Sequence, residues 1–256
     1  MTRALHLHVW GEEERAPVVC LHGVTAWGGH FAGLAEVLAD THRVLAPDLL
    51  GHGSSSWDPP WRIADHVTTL AATLDARPAV WLGHSFGARL ALEVAAAMPE
   101  RVHRLVLLDP AILMPPQVAL WAAENARRER VYASFAEAID RRYEESQLVT
   151  TDRAILEEEL GGHLVESGDG WRYRYSQAAV VVAHSELATP PPAFEDVRIP
   201  TLVVLGDSSY LPYDHLVDEH RAALGDLLEI VTVPGGHTLL WDAPGETVEA
   251  VARFLG

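Results

Sequence analysis

The sequence contains one cysteine, few basic residues and no long hydrophobic run. Cys20 alone cannot form an internal disulfide, and its place in the apolar run Val18-Val19-Cys20-Leu21 predicts a core residue. Only 19 lysine and arginine residues accompany 36 acidic residues, which gives a formal net charge of −17. Nucleic acid and anionic membrane surfaces would be repelled on average. We therefore expect neither as a partner.

Membrane and metal-binding signals are also scarce. No apolar stretch approaches the roughly 18 residues that a membrane-spanning helix needs. The N-terminus starts a strand-like alternation instead of a charged and then apolar signal, which predicts a cytoplasmic protein. His6 and His8 would lie on one face of a strand, but the sequence pattern shows no third ligand group beside them. We therefore expect no metal and no cofactor.

Short apolar runs typical of strands alternate with amphipathic helical stretches over residues 1–110, and the alternation resumes at residue 201. This pattern is typical of a mainly parallel sheet covered by helices on both faces. The predicted strands are Ala4–Trp10, Val18–Leu21, Arg43–Ala46, Val80–Leu82, Leu105–Leu108, Thr201–Leu205 and Leu228–Val233. The predicted helices are His30–Leu38, Ile63–Leu74, Phe86–Ala97, Tyr213–Leu224 and Gly245–Leu255.

The segment between these two parts has a different character. It contains long helical patterns rich in Ala, Glu and Arg, shows no strand of the buried kind, and ends near a proline triplet. We predict one α/β core domain formed by residues 1–112 and 197–256, with residues 113–196 inserted as a helical lid. Its aromatic side chains either line an apolar pocket or attach the lid to the core: Trp121, Trp171, Tyr173 and Tyr175.

The most informative segment is Gly83-His84-Ser85-Phe86-Gly87, which lies between a predicted strand and a predicted helix. A serine hydroxyl can attack an acyl carbon only if it projects from the fold, and a sharp strand-to-helix turn achieves this. Glycines on both sides of the serine permit so tight a turn. We predict that Ser85 is a nucleophile and that His84 beside it is a packing residue.

A glycine-containing loop follows the predicted strand Val18–Leu21 and would lie beside this turn. Gly23 allows close approach of the backbone, so we expect the amides of Val24 and Phe86 to form an oxyanion hole. The helix that begins at Phe86 adds its dipole to the same function. We predict a structural role for the side chain of His22.

A serine nucleophile needs a histidine base and a carboxylate that orients it. His237 lies on a loop after the last predicted strand, and Asp207 lies just beyond the end of the strand Thr201–Leu205. The order Ser85, Asp207, His237 is the one expected for this architecture. Asp109 is the alternative acid, because it also follows a strand and lies at the same edge of the sheet. Of the two, we predict that Asp207 is the acid that orients His237.

Together these motifs resemble the α/β-hydrolase superfamily across essentially the whole chain. The resemblance implies a mainly parallel, doubly wound, eight-stranded sheet with an inserted helical lid. It also implies structural roles for Asp48 and His52 in a loop near the site. The matching pieces are His22-Gly23, Asp48-Leu49-Leu50-Gly51-His52-Gly53-Ser54-Ser55, the turn at Ser85, Leu205-Gly206-Asp207 and Gly236-His237.

The resemblance implies a serine hydrolase that cleaves carboxylic esters through an acyl-enzyme, as carboxylesterases and lipases do. Ser85 is unlike the aspartate of the dehalogenase and epoxide-hydrolase branches, and Thr238 replaces the aromatic residue typical of carbon–carbon bond hydrolases. The alternatives are a lactonase, a carbon–carbon bond hydrolase, and a ligand-binding protein that keeps the fold without turnover. The expected partner is a small acyl ester or lactone. The sequence does not indicate an oligomeric state.

Overall fold

A computed structural model describes residues 3–148, 150–211 and 213–256 of the chain. Within these ranges, seven strands form the central sheet in the order β1-β3-β2-β4-β5-β8-β9, and two more form a separate hairpin. Their bounds are β1 Leu7–Trp10, β2 Ala16–Leu21, β3 His42–Pro47, β4 Ala79–His84, β5 Val102–Leu108, β6 Leu164–Ser167, β7 Gly170–Tyr173, β8 Thr201–Gly206 and β9 Leu228–Val233.

The sheet is parallel except at one edge. All neighbouring strands pair in parallel apart from β1, which runs antiparallel to β3. This confirms the mainly parallel sheet. The expected strand number was wrong, because the described part of the chain has seven strands in the sheet instead of eight. Each strand corresponds to one of the seven apolar runs, and the eighth strand was implied only by the resemblance.

Helices cover both faces of the sheet. The helices are α1 Ala32–Leu38, α2 Ile63–Thr73, α3 Phe86–Ala97, α4 Pro116–Ala126, α5 Phe135–Ser146, α6 Arg153–His163, α7 Gln177–Glu186, α8 Asp214–Leu224, α9 Leu239–Asp242 and α10 Pro244–Leu255. Successive side chains of a strand point to opposite faces of the sheet. Val18 and Cys20 therefore pack in one apolar cluster with α1 and α10, whereas Val19 and Leu21 belong to the cluster that includes α2, α3 and α8.

The segment between β5 and β8 contains α4 to α7 and the hairpin of β6 and β7. The sequence pattern predicted no strand of the buried kind in this segment. The segment does contain two short, mostly unburied strands, which a two-residue turn at Gly168-Asp169 joins outside the main sheet. A small apolar cluster within the segment includes Ile139 and Leu160, and Trp241 of α9 joins it. The division into a core domain and a lid remains a prediction.

Arg89 connects this inserted segment to the core. Its buried guanidinium donates to the carbonyl oxygen of Ile112 at 2.7 Å and to that of Pro190 at 2.8 Å. Ile112 immediately precedes the predicted insertion 113–196, and Pro190 lies near its end. Arg89 itself lies on α3, so one side chain bonds to the backbone on both sides of the insertion from the helix that follows Ser85.

None of the helices in the described ranges is long and apolar enough to cross a membrane.

Buried histidines are a second feature of the interior. Burial lowers the pKa of His66 to about 3 and that of His163 to about 3, from an ordinary value of 6.5. Burial also lowers the pKa values of His22 and His84 well below the ordinary range. These side chains are therefore neutral in the folded protein at neutral pH.

We predict that the folded state loses stability as the pH falls below about 6.5. Between the unfolded and folded pKa values the unfolded chain binds protons that the folded chain does not, which stabilises the unfolded state by about 1.4 kcal/mol per pH unit for each such histidine. Urea denaturation at about pH 7.5 and about pH 5.5 measures the slope. His163→Phe removes one such histidine, so the free energy of unfolding should change less steeply with pH, by about 1.4 kcal/mol per pH unit. A free energy of unfolding that is the same at the two pH values in the wild type would contradict the prediction.

Candidate active site

Ser85 occupies a sharp turn between β4 and α3. Its backbone has φ 55° and ψ −118°, a conformation that non-glycine residues rarely adopt. The strain is maintained by hydrogen bonds, because the amide of Ser85 donates to Leu108 at 3.0 Å and its carbonyl accepts from the amides of Ala88 and Ala111. The side chain is mostly buried but lines a cavity. The predicted sharp strand-to-helix turn is therefore present, and its serine faces the cavity.

The two glycines of the turn are required by close contacts. A Cβ atom on Gly83 would lie 2.2 Å from the carbonyl oxygen of Gly87. A Cβ atom on Gly87 would lie 1.9 Å from the carbonyl oxygen of Leu21 in β2. Both contacts are with backbone atoms, which cannot rotate away as a side chain would. The turn can pack between β2 and α3 only without these side chains.

His237 lies within hydrogen-bond distance of Ser85. Its Nε2 atom is 3.0 Å from the Ser85 Oγ atom, and its Nδ1 atom is 2.7 Å from Oδ2 of Asp109. The loop that carries His237 follows β9, and its Gly236 amide donates to Asp242 at 2.8 Å. With Nδ1–H donating to the carboxylate, the Nε2 lone pair faces the serine hydroxyl. The structure thus joins the two residues predicted for the nucleophile and the base.

Asp109 is held in place by three groups besides its own backbone. It is 2% exposed and follows β5 with φ 37°. Its Oδ1 atom accepts from the Gly206 amide at 3.1 Å, and its Oδ2 atom accepts from the Ser209 hydroxyl at 2.5 Å as well as from His237. A buried carboxylate is favourable only with such donors. Asp109 therefore supplies a fixed acceptor for the imidazole.

The preference for Asp207 as the acid was wrong. Asp207 is exposed, and its Oδ1 atom accepts from the Gly235 amide at 3.1 Å and the Ser208 hydroxyl at 2.9 Å. These bonds lower the pKa of Asp207 and shape the loop before His237. The physical reason lies in the strand lengths. Leu108 is the last residue of β5, and Asp109 follows it directly. The register partner of Leu108, Val204, is not the last residue of β8, which continues to Gly206, so Asp207 lies further along its strand than Asp109 does.

One of the two amides predicted for the oxyanion hole belongs to a loop beside the serine, and the other belongs to the residue after the serine. A Cβ atom on Gly23 would be 3.2 Å from Cβ of Ser85, so the backbone leading to Val24 passes directly beside the nucleophile. The Phe86 amide is at the first turn of α3. Within the described ranges, neither the Val24 amide nor the Phe86 amide has a hydrogen-bond acceptor. Both amides are thus available to a bound oxyanion.

Two buried histidines order the loop around Val24. The His22 Nδ1 atom donates to the carbonyl of Gly23 at 2.8 Å, and its Nε2 atom accepts from the Leu49 amide at 2.9 Å. His52 Nε2 lies 2.7 Å from the Val24 carbonyl. These contacts fix the peptide units before and after Val24, and the first of these units contains the Val24 amide. They fit the structural roles expected for His22 and His52.

Asp48 supplies the third group that the sequence pattern did not reveal beside His6 and His8. Ligand atoms of the three side chains lie within 4.8 Å of one another. The carboxylate of Asp48, however, already accepts from His8, from the Gly28 amide and from the Ser54 amide. Burial would raise its pKa, but these hydrogen bonds outweigh burial and lower it. We assign Asp48 the expected loop-ordering role.

A cavity of about 490 Å³ opens onto Ser85 and His237. Residues of the core form one wall, and the inserted segment forms much of the rest. Of the aromatic residues considered for this purpose, Trp121 and Tyr175 line the cavity, whereas Trp171 and Tyr173 pack within the inserted segment. A concave site of this size is typical of small-molecule binding.

This geometry agrees with the comparison to known proteins. Residues 18–250 match the model of the alpha/beta hydrolase family, and the chain belongs to that family. Its fold is the alpha/beta hydrolase fold. The structure is similar to a solved structure of E-2-(acetamidomethylene)succinate hydrolase, with a TM-score of 0.87 and 24% sequence identity. The similarity covers 99% of this chain and 95% of the hydrolase chain.

Two curated proteins illustrate the range of relatives. Lipase LipV of Mycobacterium tuberculosis is 35% identical over 266 residues, which cover 98% of each chain. The 2-(acetamidomethylene)succinate hydrolase of Mesorhizobium japonicum is 30% identical over 248 residues, which cover 91% of this chain and 86% of the relative. Both names describe hydrolytic enzymes, and this supports a hydrolase.

We predict that Asp109 and Asp207 differ sharply in their effect on Ser85. Asp109→Asn should slow the reaction of Ser85 with a fluorophosphonate by about 10³-fold or more, because an amide can stabilise the wrong imidazole tautomer. Asp207→Asn is the matched control and should change the rate by no more than about threefold. Intact-mass spectrometry over time measures both rates. A slow Asp207→Asn variant with a normal Asp109→Asn variant would contradict the assignment.

We also predict that Gly87→Ala destabilises the fold by more than about 2 kcal/mol, because its methyl group collides with a backbone carbonyl. Gly33→Ala is the control, since a Cβ atom there has no neighbour within 4 Å. Gly33 is in α1, so this change should be neutral or stabilising by up to about 1 kcal/mol. Denaturant unfolding measures both variants. Equal stability of the two would show that the turn tolerates a side chain.

Proposed function

We propose that this protein is a serine hydrolase that cleaves carboxylic esters through an acyl-enzyme intermediate. The observation that carries the proposal is the hydrogen-bonded series Asp109, His237, Ser85, with distances of 2.7 Å and 3.0 Å. Each member has the role that nucleophilic catalysis requires: an orienting acid, a base and a nucleophile. The series opens into a cavity of suitable size for a small acyl ester.

In the proposed reaction, His237 Nε2 takes the proton of Ser85 as Oγ attacks the substrate carbonyl carbon. The amides of Val24 and Phe86 donate to the oxyanion that forms, and this stabilises the tetrahedral intermediate. Protonated His237 then gives its proton to the departing alcohol, which leaves an acyl group on Ser85. Water, deprotonated by His237, then attacks the acyl carbon. The bond to Ser85 Oγ breaks, and His237 returns the proton to Oγ as the acid is released.

Asp109 keeps the imidazole in the productive tautomer and stabilises the imidazolium that forms during each half-reaction. His84 holds the loop of His237, because its Nε2 atom donates to the carbonyl of His237 at 2.9 Å. Burial lowers the pKa of His84, so no second positive charge competes with the imidazolium of His237. We assign His84 as a positioning residue.

The ester class is favoured by the relative named a lipase, which is similar over 98% of this chain. A lactone is a cyclic ester, and the same steps would open it, so lactones belong to the candidate substrates. We propose that residues 113–196 act as a lid, since this segment supplies much of the cavity wall. Arg89 of α3 bonds to Ile112, immediately before the segment, and to Pro190 near its end.

We predict that Ser85→Ala reduces the hydrolysis of p-nitrophenyl butyrate by at least about 10³-fold without loss of stability, because the acyl-enzyme can no longer form. Ser208→Ala is the matched control. Ser208 is exposed and bonds to Asp207, away from the imidazole, so its loss should leave turnover nearly unchanged. Release of p-nitrophenol measures both variants.

Full activity of Ser85→Ala would overturn the proposal. A wild-type protein that binds esters but shows neither turnover nor labelling of Ser85 by a fluorophosphonate would instead indicate a ligand-binding protein with this fold.

A further inference from the structure

A buried arginine without a carboxylate partner lies in the wall of the cavity. Arg142, on α5, is 6% exposed and lines the same cavity as Ser85 and His237. Among the described residues, no carboxylate oxygen lies within 4.0 Å of its guanidinium nitrogens. Removal of a cation from water is costly unless a partner compensates for the lost hydration. The resting protein therefore leaves one buried positive charge unneutralised.

The surroundings of Arg142 hold its guanidinium in a fixed position. Nε donates to the Tyr173 hydroxyl at 3.1 Å, and Nη1 donates to the Ser146 hydroxyl at 3.3 Å. The guanidinium carbon lies 4.3 Å from the ring centroid of Tyr173 and 5.8 Å from that of Trp241. Within the described residues, Nη2 has no hydrogen-bond partner. The side chain is thus oriented by neutral groups, and both N–H groups of Nη2 are unused.

The acidic residues that share the cavity wall are paired elsewhere. Glu145 lies 3.0 Å from Arg130 and also accepts from the Tyr132 hydroxyl at 3.2 Å. Glu159 accepts from His30 at 3.0 Å and from the indole of Trp241. Neither carboxylate neutralises Arg142. The charge is therefore available to a ligand in the cavity.

We propose that Arg142 is a specificity residue and that the substrates are esters that carry a carboxylate group remote from the ester bond. This proposal rests on the proposed ester hydrolysis at Ser85. The planar guanidinium matches a carboxylate geometrically and binds it more strongly than it binds a neutral acceptor. One cation balances one carboxylate, whereas a phosphate monoester carries nearly two charges at neutral pH. Because the chain has a net negative charge, it repels anionic substrates on average. Arg142 would attract the substrate carboxylate locally, inside the cavity.

Two matched pairs of esters test this proposal. On the acyl side, p-nitrophenyl hydrogen glutarate carries a carboxylate where p-nitrophenyl pentanoate carries a methyl group. On the alcohol side, 4-carboxyphenyl butyrate is compared with 4-methylphenyl butyrate. The ratio of kcat/KM within each pair is measured for the wild type and for Arg142 variants. Comparison of each variant with the wild type cancels the difference in leaving-group reactivity.

For the charged ester of at least one pair, Arg142→Met should lower kcat/KM by about 10- to 100-fold, mainly through KM, as expected for loss of a charge-assisted contact. The neutral esters should change by no more than about threefold, which shows that the variant folds. Arg142→Lys should retain part of the preference. Arg141→Met is the matched control: Arg141 is the preceding residue, is exposed and pairs with Glu144 at 2.8 Å. This control should keep the wild-type ratios.

Ser85-dependent turnover with equal losses on charged and neutral esters in Arg142→Met, or with no loss on either, would overturn the role of Arg142 while the proposed function stands. If Ser85 hydrolyses none of the four esters, the proposed ester hydrolysis fails. Titration calorimetry with glutarate then tests Arg142 separately. Binding to the wild type that is lost in Arg142→Met supports a carboxylate site, and absence of binding to the wild type overturns it.

Discussion

The hydrogen bond from His237 to Asp109 is the contact on which the site depends. It requires the carboxyl end of β5, the neighbouring end of β8 and the loop after β9 to meet. Asp109 is held there by the Gly206 amide and the Ser209 hydroxyl, and the imidazole then reaches Ser85. The sheet contributes rigidity, because β5 pairs in parallel with both β4 and β8. These contacts together hold the strained Ser85 and the imidazole of His237 within hydrogen-bond distance.

The cavity depends on a second connection, between the inserted segment and the core. From the helix that begins beside Ser85, Arg89 bonds to Ile112, just before that segment, and to Pro190 near its end. Trp241, which follows the His237 loop, packs into the apolar cluster of the inserted segment. The same segment carries Arg142. The residues that perform the chemistry thus come from the core, whereas the residue proposed to select the substrate comes from the insertion.

Much of the fold could be predicted because its elements have strong periodic patterns. The helix Phe86–Ala97 has the predicted bounds, and all seven apolar runs form strands of the sheet. The sequence pattern wrongly favoured Asp207 over Asp109, because both residues follow neighbouring parallel strands and only the structure shows which carboxylate lies beside the imidazole. The hairpin of β6 and β7 has strands too short to give a clear alternation. Arg142 is one of several arginines in a polar helical pattern, and only the cavity distinguishes it.

The most direct test of the account is a crystal structure of the protein after Ser85 has reacted with a fluorophosphonate, since the adduct resembles the tetrahedral intermediate. We expect a phosphonyl oxygen within about 2.7–3.1 Å of the amides of Val24 and Phe86, with His237 Nδ1 still bonded to Asp109. An adduct whose oxygen faces away from both amides, or a His237 that turns to Asp207, would contradict this arrangement of the site.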